Sequence, residues 1–163
     1  MDINTLVEVL INLSLQKQKS LKELLGVTTL QSNLINNEQL DSLMTAIERK
    51  QQIIHNVNVI DIEFLEKYNN LKEKLGIQTI AEANIKEYPV LNILRTHINA
   101  IMELLKEINE IDEINKEKLN KDFSKVKEEL KKIKAEKHSA KITSAYKNKY
   151  KGVQGVFVDN RDK

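Results

Sequence analysis

The chain has 163 residues, with 26 Lys or Arg against 24 Asp or Glu, three Phe, four Tyr, no Trp and no Cys. That length can bury one sizeable core, but the core has to be aliphatic, and four Gly with one Pro favour long helices over strands and turns. Lack of Cys removes disulfides, thiolate metal ligands and thiol nucleophiles, and a formal charge of +2 is too small to make a nucleic acid or a membrane surface the partner by itself.

Met1 is followed by Asp2 with neither a basic n-region nor an apolar h-region, and no apolar run approaches the roughly 18 residues that a membrane span needs. The expectation is a cytoplasmic protein with no signal peptide and no membrane insertion.

A first helix is expected over about 3–36, with Asp2 as its cap and Ile3, Leu6, Leu10, Leu13, Lys17, Ser20, Leu24, Val27, Gln31 and Leu34 in steps of three and four. Lys17 and Ser20 interrupt its apolar face. Gly26, Thr28 and Thr29 are poor helix formers, yet the pattern resumes in phase, so the helix is read as continuous or slightly bent. Asn36-Asn37 reads as the turn, and so short a connection sends the second helix back antiparallel.

The second helix, about 38–75, carries the longest regular pattern: Leu40, Leu43, Ile47, Lys50, Ile54, Val57, Asp61, Phe64, Tyr68, Leu71, Leu75. Such spacing is the seam of a helix pressed on another helix. Lys17, Lys50 and Asp61 are polar residues on these seams, and the role expected of them is to fix register within a bundle rather than catalysis.

Gly76 offers a helix end, and Thr79 with Glu82 matches a capping box that opens a short helix over about 80–87. Pro89 suits the first turn of a third helix, about 89–137, with Leu91, Leu94, Ile98, Ile101, Leu105 and Ile108 in phase. Asp112 and Asn115 then occupy seam positions. Apolar residues return as Leu119, Phe123, Val126, Leu130 and Ile133, and two steps of four from Asn115 to Phe123 form a stutter.

The fold class that follows is all-α: an elongated antiparallel bundle, or coiled coil, of three long helices with a short helix between the second and third, spanning 1–137. Residues 138–163 form a basic C-terminal tail with six Lys or Arg against two Asp, too poor in aliphatic residues to fold alone. Within it Ile142, Tyr146, Tyr150 and Val153 fall at steps of four, four and three, one face of a helix that awaits a partner.

Chemical machinery is not legible. His55, His97 and His138 are widely spaced, without HExxH, and Gly152-Val-Gln-Gly155 is too short for a phosphate loop. No cofactor, metal site or catalytic residue is expected. The run from Lys116 to Lys137 holds nine Lys against five acids, but no aromatic platform accompanies it, so a solvated face outweighs a nucleic-acid stripe.

LLGVTTLQSNLINNEQLDSLMTAIERKQQII, LGIQTIAE, INKEKLNKDFSKV and the ending AYKNKYKGVQGVFVDNRDK, in this order and spacing, resemble the FlgN family of flagellar type III export chaperones. The resemblance implies a non-enzymatic cytoplasmic chaperone. Its clients would be the hook-filament junction proteins FlgK and FlgL, kept from premature assembly and brought to the export gate protein FlhA. It also implies that the C-terminal segment binds the client and that a Tyr there docks to the gate, with Tyr146 the best match and Tyr150 its competitor. Ile142, Tyr146, Tyr150 and Val153 are the expected client-binding face, with Lys141, Lys147, Lys149 and Lys151 toward acidic residues. The alternative is a structural tether or self-associating scaffold without a client, and a weak homodimer is left open.

Overall fold

The computed structural model describes residues 1–132, and three α-helices carry most of them: α1 (Ile3–Asn36), α2 (Leu40–Leu75) and α3 (Val90–Lys132). Asp2 caps α1 as its sequence position demands, its carboxylate accepting the Thr5 N–H at 2.7 Å. That hydrogen bond holds the Asp2 carboxyl below the usual carboxylate range. Gly26 leaves α1 unbroken, with Leu24 and Thr28 buried on either side of it.

Both ends of the α1–α2 hairpin depend on a left-handed residue. Gly76 takes φ +65° just past α2. The Ile77 N–H then reaches the Lys72 carbonyl and the Gly76 N–H reaches that of Glu73, closing the helix with two crossed hydrogen bonds. After α1 the same arrangement falls on Glu38, at φ 55°, rather than on either Asn of the expected Asn36-Asn37 turn. With Glu38 spent on the turn, α2 starts at Leu40 instead of about residue 38.

The short helix expected over 80–87 is only a single 3-10 turn, Ile80–Glu82. Thr79 makes no side-chain cap, and the Glu82 carboxylate accepts the Gln78 N–H, one residue earlier than a capping box requires. Ala83 is extended, and the Asn84 side chain accepts the N–H groups of Lys86 and Glu87, an alternative to helix that ends the turn. Pro89 precedes α3, which begins at Val90.

Packing divides the chain into two compact units, each receiving a stretch of all three helices. In the first, built from Met1–Leu25 and Gln52–Glu107, Leu6, Val7 and Leu10 of α1 bury against Leu71 of α2 and Leu91 and Leu94 of α3. Phe64 stacks on Tyr68 with 5.7 Å between ring centroids, and the Tyr68 hydroxyl accepts the Ile80 N–H, which ties the 3-10 turn to α2. The second unit, Gly26–Gln51 with α3 from Ile108, closes Leu34 and Ile35 of α1 over Leu43, Ala46 and Ile47 of α2 and Leu119 of α3. In each unit α1 and α2 run antiparallel, as the short connection dictates.

Candidate functional site

The client-binding face read from the sequence, Ile142, Tyr146, Tyr150 and Val153, and with it the gate-docking candidate Tyr146, lies outside the described residues. Inside them, the three polar seam residues have distinct settings. In the first unit Lys17 Nζ meets Asp61 Oδ1 at 2.5 Å, with side chains 17% and 36% exposed, a pair that water still screens. Close to it, Gln18 and His97 are hydrogen-bonded at 2.8 Å, so His97 is a satisfied flank of the seam. His55 faces solvent.

Lys50, in the second unit, has the most extreme setting. It is wholly buried, and its ammonium reaches Asp112 Oδ1 at 2.5 Å and Gln31 Oε1 at 3.0 Å. One residue from each helix therefore meets in one layer. Burial pushes the Lys50 ammonium below the ordinary lysine value, and the attraction and hydrogen bond of Asp112 work against that shift. Gln31 Nε2 is buried and has no hydrogen-bond partner among the described residues. One turn along α3, Asn115 Oδ1 accepts the Ser32 hydroxyl at 2.6 Å while its amide donates to the Thr28 carbonyl at 3.2 Å. Lys118, next along, hydrogen-bonds Asn36. Helical periodicity places Lys50, Asp112 and Asn115 on seams without joining them. The available signal was two basic and two acidic residues, Lys17, Lys50, Asp61 and Asp112, on seams otherwise mostly apolar, where a wholly buried charge needs a partner of opposite sign.

Farther along the second unit, an open groove of about 460 Å³ lies between the α1–α2 turn and α3. Leu34, Leu40, Leu119 and Val126 supply its apolar wall, and Glu38, Asp122 and Glu129 its acid, against one cation, Lys125. Phe123, Val126 and Leu130 on this stretch of α3 are half-buried. Among the described residues no group of three or more His, Cys, Asp or Glu is placed to hold a metal ion. Among the same residues, no helix is long and apolar enough to cross a membrane.

These features define an all-α bundle protein in which Lys50, Gln31, Asp112 and Asn115 join one helix to another. The family model for FlgN protein matches residues 1–151, so the chain belongs to the FlgN family, a family of flagellar export chaperones and not of enzymes. Comparison with curated proteins and with solved structures yields no match.

Proposed function

We propose that this chain is a cytoplasmic export chaperone that binds the hook-filament junction proteins FlgK and FlgL, covers their amphipathic terminal helices and brings them to the gate protein FlhA. The observation that carries the reading is the family match over residues 1–151, which runs well into the basic tail. Ile142, Tyr146, Tyr150 and Val153 form the client-binding face, flanked by Lys141, Lys147, Lys149 and Lys151. Ordering this segment on binding consumes about 2–5 kcal/mol of contact energy, which keeps a large interface reversible, as delivery requires. Tyr146, with Tyr150 as competitor, docks to the gate.

Replacing Ile142, Tyr146, Tyr150 and Val153 together by Ser in the full chain tests the client face. Titration against labelled FlgK and FlgL fragments carrying their terminal helices is expected to show Kd raised about tenfold or more. Unchanged affinity refutes the assignment.

Lys17, Lys50 and Asp61 serve as register residues in this reading. Only the in-register bundle brings Lys50 beside Asp112, so a slipped one leaves a buried charge alone.

A self-associating scaffold is the second reading, favoured by Val59, Ile62 and Leu65 on α2, exposed at 55%, 73% and 58%. Sedimentation with and without client separates the two. A stable oligomer that client leaves unchanged supports the scaffold.

A further inference from the structure

The groove of the second unit has an apolar wall, a net acidic rim and an open mouth, and the chain that follows α3 carries the complementary pattern. We infer that the segment from Ile142 to Val153 docks reversibly in this groove of its own molecule and is released when client binds. The inference rests on the tail being the client-binding segment, and adds where that segment resides before client arrives.

Three observations select this occupant. The first is charge. Glu38, Asp122 and Glu129 line the groove against Lys125 alone. The tail sets Lys141, Lys147, Lys149 and Lys151 among its apolar residues and holds no carboxylate between His138 and Asp159. The second is reach. Val126 lies six residues before Lys132, about 9 Å along the helix. The ten residues from Lys132 to Ile142 span up to about 33–36 Å when extended, ample to reverse direction and return. The third is the wall itself. Val126 continues the spacing of the α3 seam, yet stays half-buried where the core residues Ile108 and Leu119 are fully covered, and so does Leu130, which follows it outside the groove lining.

Tethering makes a weak contact sufficient. A segment on a short linker sees its site at an effective concentration in the millimolar range, so the docked state is populated without high intrinsic affinity. Client must displace it, which lowers apparent client affinity by the undocked fraction and keeps the apolar face of the tail covered until client is present.

The chain has no Cys, so Ser124→Cys on the exposed side of α3 accepts a single nitroxide label in the full-length protein. In the absence of client, paramagnetic broadening of backbone amides is expected to rise to a second maximum over residues 142–153. Asp122→Lys with Glu129→Lys is expected to abolish that maximum and to tighten binding of a FlgK terminal-helix fragment about threefold or more. Val126→Asp, which changes the wall instead of the rim, is expected to do the same. Broadening that decays smoothly with distance along the chain, or a maximum that survives both variants, overturns the inference. A maximum that appears when labelled unenriched protein is mixed with unlabelled isotope-enriched protein overturns it in favour of a second copy. The broadening is read without client and the serine variant with it. A tail that docks but does not bind client therefore defeats only the chaperone assignment, and one that binds client but never docks defeats only this inference.

Discussion

Lys50 and Asp112 give the sharpest quantitative test. Their side chains are 0% and 3% exposed, and at 2.5 Å two unit charges attract by roughly 6–7 kcal/mol at an effective dielectric constant of about 20. Desolvating them costs several kcal/mol per ion, so the pair is close to neutral overall. Removing one partner forfeits the attraction and leaves the penalty. Lys50→Met takes the countercharge from Asp112 and the donor from Gln31 Oε1, while Asp112→Leu takes the countercharge from the ammonium. Each single variant is expected to lose about 3–5 kcal/mol in urea unfolding followed by circular dichroism, whereas the double variant is expected to equal the native protein or exceed it by about 1–4 kcal/mol. Single variants costing under about 1 kcal/mol, or a double variant whose loss is the sum of the two, would refute the claim that these groups are coupled and desolvated.

The same pair sets an alkaline pH dependence. The Lys50 pKa is lowered in the folded state from its ordinary 10.5, chiefly by burial, so between the lowered value and 10.5 the unfolded chain holds more protons and stability rises with pH. Native protein is expected to gain on the Lys50→Met, Asp112→Leu double variant as pH climbs through that window, and a flat difference contradicts the burial argument. Asn115→Ala removes the acceptor of the Ser32 hydroxyl and a donor to the Thr28 carbonyl and is expected to cost about 1–3 kcal/mol by the same unfolding assay. By contrast, a double-mutant cycle on Lys17 and Asp61 is expected to return about 0–1 kcal/mol and to shrink in salt, because both groups stay partly wet. Gly76→Ala places a Cβ at φ +65°, and thermal melts are expected to show a loss of about 1 kcal/mol with nothing but backbone strain to cause it.

The sequence by itself determined the three long helices, because steps of three and four over dozens of residues leave an apolar stripe that only a neighbouring helix can cover. It also marked Gly76 as a helix end and Asp2 as a cap, both local hydrogen-bond problems solved within a few residues. Two local details differ for equally local reasons: Asn84 diverts the backbone, so the short helix ends well before residue 87, and the turn read at Asn36-Asn37 takes its left-handed residue at Glu38. The meeting of Lys50 with Asp112, 62 residues apart, belonged to tertiary structure alone, as did the groove beside Val126. Helical periodicity says that a residue faces a partner and is silent on which one. Only the packed register, fixed by every apolar contact along the seam at once, brings a particular acid to a particular base.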